Sequence, residues 1–286
     1  MDGIILVNKP SGYTSRDIVN IASKTLKTKK IGHTGTLDPM AKGVLVLCVG
    51  KATKLVKLLT CDNKEYIAGI TLGILTDTLD IEGNIIKEEN IHFSKEEIIN
   101  VLDNMKGKYI QEVPIYSAVK VNGKKLYEYA RNNEKVELPK REIEIYNIEL
   151  IDDIIFEKGK IKLNIRCKVS KGTYIRALAN DIAKKLGTIG IMHSLNRTKE
   201  GIFNIEDCNN LKDIENNNYK IYEINEVLNY IYEIKMNDEL YFKIKNGQVI
   251  DNIYNKGLIK FTYNNNVIAI YIKDNNNLKP YIMLNT

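Results

Sequence analysis

Residues 32–43 read G-H-T-G-T-L-D-P-M-A-K-G, and no other stretch restricts the fold as tightly. Three glycines and one proline in twelve residues rule out an ordinary helix or a central strand. Pro39 pushes Asp38 out of the α region, so the carboxylate sits on an extended or turn backbone. The apolar run 44–49 that follows has the length of a buried strand. The pattern predicts a lone acid held in a stiff loop that leads into the core, as a reactive group requires. Local chemistry also fits a simpler reading, an Asx-turn acid that only organises its own loop.

Periodicity supplies the frame around that loop. Residues 15–26 read as an amphipathic helix capped near Thr14 or Ser15, with Ile18, Ala22 and Leu26 on one face. Ser94 and Glu97 form a capping box that opens a second helix, which ends near Gly107. Residues 66–73 and 161–169 alternate as strands. The second of these leads through Gly172 into a third helix, 174–186, with Thr173 as its cap and Gly187 as its stop. Hairpin-like stretches dominate, which predicts an α+β fold: a mixed, largely antiparallel sheet with packed helices. From residue 229 the texture shifts to short Ile- and Tyr-rich strands, best seen at 244–250, 257–263 and 267–272. That pattern predicts a small C-terminal β-barrel over 229–286, after a larger domain of residues 1–228. Asn triplets at 216–218, 264–266 and 275–277 read as loop tips.

At 286 residues and net charge +6 the chain can bury a full core and tolerates a polyanionic partner. Residues 1–60 carry ten Lys or Arg against Asp2, Asp17 and Asp38, and residues 106–141 carry nine against four acids. Any one of these lysines also fits a plain solvated face. Cys48, Cys61, Cys167 and Cys208 show no paired C-x-x-C spacing, and three scattered histidines do not complete a zinc site with them, so no metal is expected. Cys48 and Cys167 read as small core hydrophobes. No run approaches a membrane span and the N-terminal apolar run is too short for a signal peptide, so a soluble, cytoplasmic protein without membrane attachment is expected.

Residues 32–43 resemble the catalytic-aspartate motif of the TruB-type tRNA pseudouridine synthases. Further blocks fit that family in order and spacing: V-N-K-P-S-G at 7–12, K-E-Y at 64–66, Y-S-A-V-K at 116–120, N-G-K-K-L-Y at 122–127, K-G-T-Y-I-R at 171–176 and S-L-N-R at 194–197. The resemblance covers nearly all of residues 1–205 and thins beyond. It implies a pseudouridine synthase-like core, a flexible RNA-clasping thumb near 110–140 and a PUA-like C-terminal RNA-binding domain.

The resemblance also assigns roles. Asp38 would be the nucleophile, Arg176 would pair with it, Tyr66 would stack on the target base with a possible part in proton transfer, and Leu195 would line the pocket. His33 would fill the gap left by the displaced base. Lys9, Lys54, Lys120, Lys124 and Tyr174 are the further RNA-contact candidates, the lysines as phosphate contacts. The implied reaction is isomerisation of the T-loop uridine, position 55, of tRNA, with no cofactor, no obligatory protein partner and a monomeric enzyme. A guide-dependent relative acting on other RNAs and a non-catalytic RNA-binding or RNA-folding protein are the alternative readings. Retention of Asp38 and Arg176 speaks against the non-catalytic one.

Overall fold

The computed structural model describes residues 1–60 and 63–284. The chain forms two compact units. The first comprises Met1–Asp38, Val44–Thr60 and Glu206–Thr286, and the second Pro39–Gly43 and Cys61–Ile205.

In the first unit the Gly3–Lys9 strand is almost wholly buried and is hydrogen-bonded to the Lys42–Val49 strand. On its other side it pairs in parallel with Asn209–Asn210. Ile31–His33 lies antiparallel to Lys42–Val49, with His33 opposite Leu47. Helix Ser15–Thr25 opens on a capping box: Thr14 accepts from the Asp17 amide, and the Asp17 carboxylate accepts from the Thr14 amide at 2.8 Å. Its Ile18, Val19 and Ala22 pack into a cluster with Ile5, Val7, Leu45, Leu47 and Val49. Thr14 is therefore the cap, and Ser15 is free to serve a different purpose described below.

The same unit holds a five-stranded sheet in the order Tyr232–Lys235, Leu258–Tyr263, Asn266–Asp274, Asn277–Met283, Ile250–Asp251. Its two end strands do not pair with each other, so among the described residues it is an open sheet and not the closed barrel expected. Met236, Ile244, Phe261, Ile268, Tyr271 and Leu278 form its core. The strand expected at 244–250 is a correction: helix Asp238–Lys245 takes its first two residues, a turn at 246–247 follows, and strand structure resumes only at Ile250. Asn237 caps it by accepting from the Leu240 amide at 2.9 Å, with Asp238 and Glu239 in the first turn and Lys243 and Lys245 in the last. Asn246-Gly247, a pair that reads as a hairpin turn, instead ends the helix, with Gly247 at φ +70°. Asn264 and Asn265, both at positive φ, form the two-residue turn between Tyr263 and Asn266, which pair.

The second unit is a largely antiparallel sheet in the order Gly190–Glu200, Asn63–Leu72, Lys160–Ser170, Lys140–Leu150, Gly107–Glu112, each neighbour antiparallel to the next. Helix Lys95–Asp103 starts at the predicted Ser94–Glu97 box, with Ile98 and Leu102 buried. Helix Ile175–Lys185 packs on the Gly190–Glu200 strand. Its N-cap is Tyr174, which makes no side-chain cap bond. Thr173, the expected cap, donates instead to the Ser170 carbonyl at 2.8 Å and closes the preceding turn. Cys48 and Cys167 are buried in their strands, and burial pushes the Cys167 thiol up to about 12. Cys61 lies outside the described residues.

Candidate active site

The loop that carries Asp38 is fixed at both ends. On the N-terminal side, Ile31–His33 is tied to the Lys42–Val49 strand and the Thr34 amide donates to the Val46 carbonyl. Ser15 then grips the residue before the acid: its hydroxyl accepts from the Leu37 amide at 2.9 Å and donates to the Leu37 carbonyl at 3.2 Å. Both Ser15 and Leu37 are buried, so neither backbone group has water as a substitute. Asp38 itself is half-buried at the end of this anchored backbone. On the C-terminal side, within the second unit, Lys42 and Gly43 pair in parallel with Asn196 and Arg197. Gly43 sits at φ +109°, and a Cβ there would collide with the Arg197 carbonyl, so only glycine fits.

The second unit brings several predicted residues together. Tyr66 is buried on the Asn63–Leu72 strand opposite Arg197, and Leu195 lies two residues along the same face opposite Ala68. Tyr66 and Leu195 are thus diagonal neighbours on one face. Burial pushes the Tyr66 phenol above its ordinary range, while the adjacent, hydrogen-bonded Arg197 guanidinium pulls the other way.

Arg176 is buried in the first turn of helix Ile175–Lys185, where a cation opposes the helix dipole. Its partners within the unit account for that placement. Nη1 donates to the Thr78 carbonyl at 3.0 Å and Nη2 to the Tyr116 carbonyl at 3.0 Å, while Nη1 lies 3.6 Å from the Asp80 carboxylate. Asp80 is buried as well, and its Oδ1 accepts from the Thr78 hydroxyl at 2.6 Å and the Glu82 amide at 3.1 Å. The Asp80 loop is pinned to the Gly190–Glu200 strand through the Met192 backbone, which bonds Leu79 and Ile81. Tyr174 is held from the side: Gln111, buried at the root of the thumb segment, accepts from the Tyr174 amide at 2.8 Å and donates to its carbonyl at 3.2 Å.

Other candidates are distributed. His33 is half-buried at the start of the Asp38 loop. Lys9 is buried, and its ammonium donates to the carbonyls of Pro10 at 3.0 Å and Tyr13 at 2.6 Å, so it shapes the 10–13 loop. Lys54 donates to the Met283 carbonyl at 2.7 Å. In the thumb, Lys120–Val121 and Lys124–Lys125 pair as a tight hairpin around Asn122 and Gly123, both at positive φ, and helix Leu126–Arg131 follows. Lys120 is exposed there, whereas Lys124 pairs with Glu134 at 2.6 Å and lies over the Tyr129 ring. Sequence reasoning missed Asp80, Gln111 and Glu200, because the partners that give them meaning are 60 or more residues away in the chain or lie across a register shift. The Ser117 hydroxyl was missed too: it is buried without a hydrogen-bond partner among the described residues, one residue from the carbonyl that Arg176 grips.

Among the described residues, no group of three or more His, Cys, Asp or Glu side chains could hold a metal ion, and no helix is long and apolar enough to cross a membrane.

A family model described as TruB family pseudouridylate synthase (N terminal domain) matches residues 23–175. The chain is similar to the tRNA pseudouridine synthase B of Lactobacillus acidophilus, at 40% identity over 99% of this chain and 98% of that protein. It is 40% identical to the protein of the same name in Clostridium tetani, over 96% and 93% respectively. Among solved structures, a chain of a Cbf5-Nop10-Gar1 complex shares the fold with TM-score 0.72 and 23% identity, over 98% of this chain and 83% of that one. A chain of an H/ACA RNP bound to a substrate RNA containing 2′-deoxyuridine gives TM-score 0.71 and 22% identity, over 99% and 84%.

Proposed function

Because the chain belongs to the TruB family of pseudouridylate synthases, we propose that it isomerises a uridine of tRNA to pseudouridine, with the T-loop uridine at position 55 as target. Full-length similarity to tRNA pseudouridine synthases B at 40% identity is the observation that carries this reading. The chemistry breaks the N1–C1′ bond, turns the uracil and joins C5 to C1′. The C5 proton leaves and N1 gains one, so the reaction is redox-neutral and needs no external electron carrier.

Asp38 is the nucleophile in this reading, acting at C6 of the base or at C1′ of the ribose. Support comes from the anchored loop, whose Ser15 and Gly43 contacts hold the backbone on either side of the acid. Arg176 serves as the guanidinium partner of the acid, Tyr66 stacks on the base, and Leu195 walls the same side. Extrusion of the target uridine costs a few kcal/mol of unstacking, and His33 fills the gap. Lys120 and Lys124 on the thumb hairpin contact phosphates, and Lys9, Lys54 and Tyr174 complete the RNA-contact set. The five-stranded C-terminal sheet is PUA-like, and residues 229–286 act as a small RNA-binding domain beside a catalytic part of residues 1–228. The enzyme works as a cytoplasmic monomer.

The test is incubation with an unmodified T-stem-loop RNA and mapping of pseudouridine at single-nucleotide resolution. Conversion at the T-loop uridine alone supports the reading, and an unmodified stem-loop after exhaustive incubation with full-length tRNA also inert would overturn it.

A further inference from the structure

The sheet face that presents Tyr66 and Leu195 also buries an ion cluster. Along the Gly190–Glu200 strand, Arg197 stands opposite Tyr66, but the next pairs are Lys199 opposite Glu65 and Glu200 opposite Lys64. Three residues apart on a regular strand, Arg197 and Glu200 would point to opposite faces. The register shift between Arg197 and Lys199 inserts one residue and returns Glu200 to the face of Arg197. Arg197 Nη2 then lies 3.2 Å from Glu200 Oε2, and Lys64 Nζ lies 3.5 Å from Glu200 Oε1. Thr198 faces the other way and donates to Glu65 Oε1 at 2.9 Å. Arg197 is 1% exposed and Glu200 0%.

An apolar set of similar volume commonly serves sheet stability as well as a buried ion cluster does, so burial of these charges calls for a further reason. The fourth member supplies one: Arg197 hydrogen-bonds the Tyr66 phenol. A guanidinium is only ever a donor, so the phenol oxygen accepts from it. That bond fixes where the Tyr66 oxygen sits and turns its O–H away from Arg197. Accepting from Arg197, the oxygen keeps its own hydrogen as a donor.

We propose that Arg197, clamped by Glu200, is a positioning residue that presents the Tyr66 hydroxyl to the substrate uracil as a hydrogen-bond donor. The inference rests on the reading of Tyr66 as the residue beside the target base. Burial, which keeps the phenol protonated, agrees with a donor role and disfavours Tyr66 as the base that removes the C5 proton.

The test is a set of coupled substitutions in the full chain, measured as single-turnover loss of hydrogen from C5 of the target uridine in a T-stem-loop RNA. RNA affinity and the thermal transition are measured alongside. Y66F, R197K and E200Q should each lower the rate at saturating RNA by about tenfold or more, with Kd within about threefold of wild type. In the Y66F background, R197K and E200Q should add less than about twofold, because the hydroxyl they act through is gone. Full, undiminished effects of R197K and E200Q in that background would overturn the proposal. So would a wild-type rate for folded R197K, or loss of the folded state in both R197K and E200Q, which would assign the cluster to stability. If Y66F keeps the wild-type rate while D38N is inert, the hydroxyl is unused and the proposal falls alone. If D38N is active as well, it is the reading of the whole site that fails.

Discussion

At the scale of single residues, Asp38 is legible as a candidate because its neighbours single it out: Pro39 and the flanking glycines exclude regular structure, and the family motif does the rest. Replacing it with Asn keeps size and polarity but removes the carboxylate proposed as the nucleophile. Single-turnover rates should fall by about a thousandfold or more while RNA affinity stays within a few-fold. Asp80 was not legible. It sits in a T-D-T-L-D stretch that reads as an ordinary turn, and only the fold brings its carboxylate to 3.6 Å from Arg176. Asp80→Asn should retain the bond from Thr78 yet weaken the hold on the guanidinium. Its signature is a lower kcat with little change in KM, since the lost contact would orient the guanidinium proposed to pair with Asp38 and not bind RNA. A rise in KM alone would place Asp80 in RNA binding.

At the scale of elements, the two helices with strong start signals differ in how they were read. Helix Lys95–Asp103 was plain from Ser94 and Glu97, whereas helix Asp238–Lys245 hid inside a run of Ile, Tyr and Phe that also suits a strand. Asn237 and the acidic first turn were the overlooked signals. The loop that bears Asp38 shows what periodicity cannot see. Its anchor is a hydroxyl 22 residues upstream, on the first turn of a helix where the sequence offered Ser15 only as a cap candidate. Ser15→Ala removes both bonds to Leu37 and leaves its buried amide unsatisfied, at a cost of about 1–3 kcal/mol. The thermal midpoint should drop by several degrees. At temperatures where the variant is fully folded, its single-turnover rate should still lag, because the loop backbone has lost its register. A normal rate in the folded variant would mean that Gly43 and the paired strands suffice.

At the scale of the whole molecule, a +6 chain whose positive excess is concentrated in residues 1–60 and 106–141 should bind RNA largely through phosphates. Affinity for tRNA should fall by about a thousandfold between ~50 and ~200 mM salt if roughly six phosphates are neutralised, with the saturated single-turnover rate nearly flat. Activity should survive exhaustive chelation, since the reaction is redox-neutral and the described residues offer no metal-binding cluster, provided the RNA stays folded without divalent ions. The α+β class and the antiparallel middle of the chain were legible from alternation and turns. The assembly of the first unit from three separated pieces was not, because strand partners far apart in sequence leave no local trace. That assembly bears on biosynthesis. The Gly3–Lys9 strand leaves the ribosome early, yet Asn209–Asn210 beside it and Tyr222, which bonds Ile4, are translated about 200 residues later. At ~5–20 residues per second, this apolar N-terminal strand waits for roughly 10–40 s without its full set of neighbours. Nascent chains stalled before residue 222 are thus natural clients for a chaperone that shelters extended apolar segments.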